Sequence, residues 1–293
     1  MANRQESPPP GGAVARPILR SLALSDLPAA RALSAAQGWP HREEDWRFVL
    51  GLGEGVAAEH DGQLAGTALG WRYGPGFATL GLVIVSEAAR GRGIGRALTA
   101  AVLDRLGRRT VLLNATHDGL PLYRSLGFAP GWEIRQLQGA SFSPPSVAPP
   151  PGHRLRPLDS RDGTVLAALD ERATGMPRQA LIAALLSVAE GVVLEREGEA
   201  VGFALLRRFG HGQVIGPVVA PDEGGARALV AHWLSSRPGQ FIRLDVPAET
   251  GLPGWLRSLG LEDAGPATGM AHGTPPRPDG TLRRFALVSQ ALG

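Results

Sequence analysis

Residues 89–106 read ARGRGIGRALTAAVLDRL: three glycines alternate with basic and apolar residues, and a helical pattern follows. Ile94, Leu98, Ala101, Val102 and Leu106 recur at the spacing of one helix face, which predicts a helix over about 93–107. The run before it, FATLGLVIV at 77–85, is apolar and reads as a buried strand. A strand, a glycine loop and a helix start leave free N–H groups and the positive dipole end at the loop. Glycines keep side chains clear, so those N–H groups can close on phosphate oxygens. Arg90, Arg92 and Arg96 add charge-assisted contacts, which makes a di- or triphosphate-like anion the natural guest. The other reading of the same residues is a tightly packed helix start with no ligand.

Two familiar phosphate loops do not fit. A P-loop requires a lysine, and the chain contains none. The dinucleotide fingerprint G-x-G-x-x-G must follow the first strand of a βαβ unit, with an acid some 20 residues on. Here the spacing is G-x-G-x-G, and the loop follows about three antiparallel strands.

Around the loop the chain divides into two similar halves. EGVAAEHDGQLAGTALGWR (54–72) is matched by EGVVLEREGEAVGFALLRR (190–208), each a hairpin with a charged turn. NATHDGLPLYRSLGF (114–128) is matched in the same order by DVPAETGLPGWLRSLGL (245–261). Two copies of one mixed α/β unit follow, 17–137 and 153–293. Between them QGASFSPPSVAPPPG (138–152) has a linker's composition, and residues 1–16 read as a disordered leader. In the first copy, strands are expected at about 17–22, 54–60, 63–72, 77–85, 110–113 and 128–137. Helices are expected at about 26–37, 41–51, 93–107 and 119–126.

Composition narrows the class of function. The 293 residues are 43% hydrophobic, enough for a real core, and carry no apolar run of membrane-spanning length or secretory h-region. No membrane partner is therefore expected. There is no cysteine, which excludes disulfides and thiol chemistry and makes a reducing cytoplasm the simplest location. Net charge is only +3, and the one local excess is six arginines against Asp104 between Arg90 and Arg109. It lacks the interleaved aromatics of a nucleic-acid surface, so no nucleic-acid partner is expected. The seven histidines show no metal-ligand spacing, and no metal is expected.

Arg90-Gly91-Arg92-Gly93-Ile94-Gly95, preceded by an LVIV strand and followed by LYRSLGF at 122–128, resembles the R/Q-x-x-G-x-G/A signature of the GNAT N-acetyltransferase superfamily. The resemblance covers about 17–137. It implies two GNAT-like domains of mixed, mostly antiparallel sheet flanked by helices, and an acetyl-CoA site. Backbone around Val83 and Val85 would pair with the pantetheine arm. The N–H groups from Gly91 through Arg92, Gly93, Ile94 and Gly95 to Arg96 would hold the pyrophosphate. It also implies that Tyr123 gives a proton to the leaving sulfur, and that Thr116 stands where relatives carry a cofactor-contacting Asn. The other reading of Thr116 is a cap on the short helix. A glutamate base found in some relatives is replaced by Val111, so the base is open. Glu59, His60, His117 and Asp118 are candidates by rough location only. Trp39 and His41 either shape an acceptor pocket or are a packed ring and a solvated imidazole.

The second copy lacks the signature. Its loop, Glu223-Gly224-Gly225-Ala226-Arg227, is about three residues shorter, and Leu256 stands where Tyr123 does. Asp170, Arg178, Asp245 and His272 either line a polar pocket there or are a surface ion pair and a strand-end acid. The tail TLRRFALVSQALG reads as a last strand closing the second sheet. The expectation is an acetyl-CoA-dependent N-acetyltransferase acting on a small-molecule or peptide amine by direct attack. The alternative is a non-catalytic acyl-CoA-binding regulator. A homodimer is left open.

Overall fold

In the first half, runs that alternate or are wholly apolar form strands, and charged Asp61-Gly62 supplies the left-handed turn between two of them. A computed structural model describes residues 17–140 and 146–293. The leader at 1–16 and residues 141–145 of the linker stretch lie outside the described residues.

The first half runs β1 (Ile18–Ser21), α1 (Leu27–Ala36), α2 (Glu43–Leu52), β2 (Glu54–His60), β3 (Gln63–Tyr73), β4 (Phe77–Val85), α3 (Ile94–Leu106), β5 (Thr110–Ala115), α4 (Leu120–Ser125) and β6 (Ala129–Ala140). The second half repeats it: β7 (His153–Pro157), α5 (Gly163–Thr174), α6 (Gln179–Leu186), β8 (Ala189–Arg196), β9 (Glu199–Phe209), β10 (Gly212–Ala220), α7 (Glu223–Ser236), β11 (Phe241–Pro247), α8 (Leu252–Ser258) and β12 (Glu262–His272). The tail adds β13 (Arg283–Ala286). β6 extends to Ala140, three residues into the stretch read as linker.

All strands share one mixed, mostly antiparallel sheet, ordered β1-β2-β3-β4-β5-β12-β6-β11-β10-β9-β8-β7 with β13 beside β10. The last strands of the two halves are exchanged. β12 of the second half lies between β5 and β6, and β6 of the first half pairs with β11. Sequence periodicity predicts that β6 is a strand, but it carries no information on which edge that strand finds.

Helices α1, α2, α5 and α6 share one core on one side of the sheet, where Trp46, Trp71, Leu166 and Ile182 are buried together. α3 and α7 cover separate cores of the first and second halves. In the shared core, Arg178 and Asp170 form a fully buried ion pair at 2.6 Å. The Arg178 Nη1 also donates to the Gly293 carbonyl at 2.7 Å, which ties the tail to α5. This pair is buried, not at the surface, and it does not share a pocket with Asp245 or His272. Asp245 binds Arg243 at 2.9 Å, and His272 packs on the Phe128 ring at 5.5 Å.

Removing one member of a buried pair strands a charge, at a cost of about 3–5 kcal/mol, whereas an apolar replacement of both can restore stability. Asp170→Asn is therefore expected to lower Tm sharply, and Asp170→Leu combined with Arg178→Met to recover most of the loss, as read by thermal denaturation.

Candidate active site

β4 and β5 pair in parallel only at Phe77–Thr79 with Thr110–Leu112, then part. Beyond that point β4 keeps β3 on one side and has a free edge on the other. The parting coincides with a bulge, where Leu82 adopts φ +50°. That left-handed backbone costs a non-glycine residue about 1–2 kcal/mol. The buried Thr67 hydroxyl donates to the Leu82 carbonyl at 2.8 Å and holds the bulge. From the far side Ala291 presses against Gly81, where an added Cβ would stand 2.9 Å from the Ala291 Cβ.

The gap opens into a cleft of about 600 Å³. Val83, Val85, Arg90, Gly91, Gly93, Ile94, Gly95, Arg96, Thr116 and Tyr123 all line it. Arg92 does not; its Nη1 turns away to the His60 Nε2 at 2.9 Å. Gly91 and Gly93 have φ of +74° and +76°, so these two positions require glycine for the turn. Gly95 has an ordinary helical backbone, and an added Cβ would meet only normal contacts at 3.5 Å. α3 starts with no side-chain cap, and the first bond back to the loop is Ala97 N–H to the Gly93 carbonyl at 3.0 Å. The N–H groups before Ala97 are thus left to face the cleft. At the other end, the Tyr123 ring packs edge-on to Phe128 at 5.9 Å. Burial pushes its phenol well above the usual range, so it keeps its proton throughout neutral and mildly basic pH.

A second, smaller chamber of about 100 Å³ shares Trp39, Gly81, Leu82, Asn114 and Thr116 with the cleft. Its remaining wall draws on both halves: His41 and Gln136 from the first, Phe209, Arg243 and Gln290 from the second. His41 stands edge-on between Trp39 and Phe209, at 6.1 and 5.5 Å. Its Nδ1 is buried without a partner, and burial, helped by Arg243, pushes its pKa down to about 4. The imidazole is therefore neutral at physiological pH. Asp245 is saturated: Arg243 binds both its oxygens at 2.9 and 3.1 Å, and Gln290 Nε2 donates to Oδ1 at 3.0 Å.

Of the base candidates, only Asp118 lines the cleft. Glu59 is bound to Arg20 at 3.0 Å and His60 to Arg92, both away from it. Sequence reasoning singled out Trp39 and His41 but not Phe209, Arg243 or Gln290. The signal for those three lies in the exchanged strands, which no local pattern encodes.

The same stations in the second half are filled. β10 and β11 also part after a short parallel contact, at Gln213–Val214. There β13 lies along β10 from Val218 to Ala220 and takes the edge that β4 leaves free. At the start of α7, Asp222 caps the Gly225 N–H at 2.8 Å, and Glu223 accepts the Gly251 N–H at 3.1 Å. Leu256 is buried in the core.

Two GNAT acetyltransferase models match the chain, the GNAT family model at 21–128 and a GNAT domain model at 166–285. The chain belongs to the GNAT superfamily, in tandem form. This tandem GNAT protein is 27% identical to an uncharacterized N-acetyltransferase of Bacillus subtilis, YitH, over 89% of its own length and 93% of the relative's. It is 26% identical to a holothin acyltransferase of Pseudoalteromonas over 75% of each chain. Its fold is similar to a putative acetyltransferase from Pyrococcus horikoshii, with TM-score 0.77, 19% identity and coverage of 97% and 98%. A tandem GNAT protein from the clavulanic acid biosynthesis pathway superposes with TM-score 0.62 at 15% identity, over 89% and 99% of the two chains. Acyl transfer is the chemistry of the family and its named relatives. Among the described residues of the tandem GNAT protein, no helix is long and apolar enough to cross a membrane, and no cluster of metal-ligating side chains occurs.

Thr67→Val keeps the shape but leaves the Leu82 carbonyl unpaired in the core, at a cost of about 1–3 kcal/mol. The expected result is a lower Tm with weaker acyl-CoA binding, measured by thermal denaturation and calorimetry of the same variant.

Proposed function

We propose that the protein is an acetyl-CoA-dependent N-acetyltransferase that acylates a small amine held in the chamber between the halves. The observation that carries this reading is the junction of cleft and chamber at Gly81, Leu82, Asn114 and Thr116. A donor in the cleft and an acceptor in the chamber meet there, and holding two reactants together removes much of the entropic barrier.

Acetyl-CoA in the cleft would supply an activated acyl thioester. The free edge of β4 offers backbone hydrogen bonds to its arm, and the N–H groups before Ala97 face its pyrophosphate. Arg90 and Arg96 are exposed on the same rim and are held in place by Gln37 and Ser125 at 2.6 and 2.8 Å. Tyr123 retains a proton at its hydroxyl and is the group to deliver it to the departing sulfur.

On the acceptor side the chamber offers rings and amides but no free carboxylate. Asp245 is fully engaged and His41 is uncharged. Such a wall gives an ammonium no counter-charge and favours the free base. The acceptor we infer is a compact primary amine with an uncharged, hydrogen-bonding body that fits among Trp39, His41 and Phe209.

Calorimetric titration with acetyl-CoA is expected to show one site per chain, because β13 and the Asp222 cap occupy the second cleft. Two sites would contradict this. Tyr123→Phe is expected to lower kcat by about 10²-fold or more with cofactor affinity unchanged. Binding with no turnover on any amine of a broad screen, holothin included, would favour a non-catalytic acyl-CoA-binding role. Across active acceptors, the pH at half-maximal rate is expected to follow the pKa of the amine rather than stay fixed, with activity rising as pH rises through it.

A further inference from the structure

A third cavity, of about 390 Å³, is linked to the acceptor chamber by one hydrogen bond. Trp132 and Ile134 of β6, Met176, and Pro275, Pro276 and Pro278 of the segment before β13 form its apolar walls. The proline wall is pinned. Arg172 donates from Nε to Asp279 at 2.8 Å and from Nη2 to Thr281 at 2.6 Å, and the Asp279 N–H returns to the Arg172 carbonyl at 3.1 Å. The Trp132 indole lies flat over Gly269, where any side chain would collide with it.

Arg284 also lines this cavity. Its Nε is buried without a partner, and it forms no hydrogen bond or ion pair among the described residues. The nearby carboxylates do not neutralise it. Asp170 is bound through both oxygens to Arg178, at 2.6 and 2.8 Å, and Glu249 is exposed at the cavity rim. Burial, with Arg178 adding to it, lowers the guanidinium pKa only to about 10, so it is charged at pH 7. An unpaired charge in such a place is costly and calls for a partner. Arg283 lines the cavity as well, but its guanidinium lies over the Phe285 ring at 5.3 Å. A largely apolar cavity with a few polar groups, one of them an unpaired cation, has the make-up of a small-molecule site.

We propose that this cavity binds a small monoanion with an apolar body, a carboxylate on an aromatic or branched aliphatic group. Its carboxylate pairs with the Arg284 guanidinium, and its body packs against Trp132 and the proline wall. Glu249 offsets one of the two lining arginines, which leaves charge for a single carboxylate rather than for the phosphates of a second acyl-CoA. The site communicates with the chamber. Trp132 Nε1 donates to the Asn114 Oδ1 at 3.3 Å, and Asn114 Nδ2 donates to the Gln290 carbonyl at 2.8 Å. Occupancy that shifts the indole therefore bears on two residues of the acceptor wall. The assignment of the site itself does not depend on the acyl-transfer reading.

The test is calorimetric titration of the full chain with 3-phenylpropionate, hexanoate and isovalerate at millimolar concentrations, and with 3-phenylpropanamide as the uncharged match. At least one acid is expected to bind at one site, and at least tenfold more tightly than its amide. Arg284→Met is expected to weaken that acid at least tenfold and, without ligand, to raise Tm, because it replaces a half-buried guanidinium, its Nε buried and unpartnered, with an apolar chain. Arg284→Lys, which keeps the charge, is expected to retain part of the affinity. The proposal is overturned if no acid binds, if acid and amide bind equally, or if Arg284→Met leaves the affinity intact. A lower Tm for Arg284→Met would likewise overturn it, by showing that the guanidinium serves the fold. Acetyl-CoA titrated into the same variant separates the two readings: loss of the carboxylate site with cofactor binding retained touches this proposal's residue alone.

Discussion

The cleft and the chamber beside it depend on the parting of β4 from β5. Three residue pairs hold the strands together, and past Thr79 they diverge. A sheet does not give up backbone hydrogen bonds without compensation, since each buried orphan costs free energy. Here the parting is held by a set of compensating contacts. Thr67 holds the strained Leu82, Ala291 wedges against Gly81, and β12 saturates the far edge of β5. The cleft is open because the residues around it are fixed.

The second half repeats the parting and then fills it. β13 lies along β10, and carboxylates of Asp222 and Glu223 answer the N–H groups at the start of α7 and of α8. The same backbone opportunity is therefore solved internally in one copy and left to a ligand in the other. The two copies differ less in fold than in whether the polymer itself satisfies its exposed backbone groups.

Much of this was legible in the sequence. The glycine loop, the long helix after it and the repeat are local patterns, and local patterns survive in any tertiary setting. The left-handed turns at Gly91 and Gly93 are written in the residue type, and so is the degeneration of the second loop. The sequence reading erred where geometry is not local. The Arg92 side chain, flanked by the left-handed turns at Gly91 and Gly93, points at His60 rather than into the cleft. Asp170 and Arg178 read as pocket lining or as an ion pair at the surface, because the burial of a pair between two helices cannot be seen from either one. The acceptor wall was only half visible. Trp39 and His41 lie near the loop's own half, whereas Phe209, Arg243 and Gln290 arrive through the exchange of β6 and β12.

The tail from Arg283 to Gly293 fills the cleft of the second copy as β13 and then runs on as the floor of the chamber beside the first. The copy whose own cleft is filled thus shapes the chamber beside the open cleft of the other. Under the proposed function the two copies divide labour unevenly: one holds the cofactor, and the other contributes residues that face the acceptor. The shape of that chamber can then be altered by substitutions in the second copy that never touch the glycine loop.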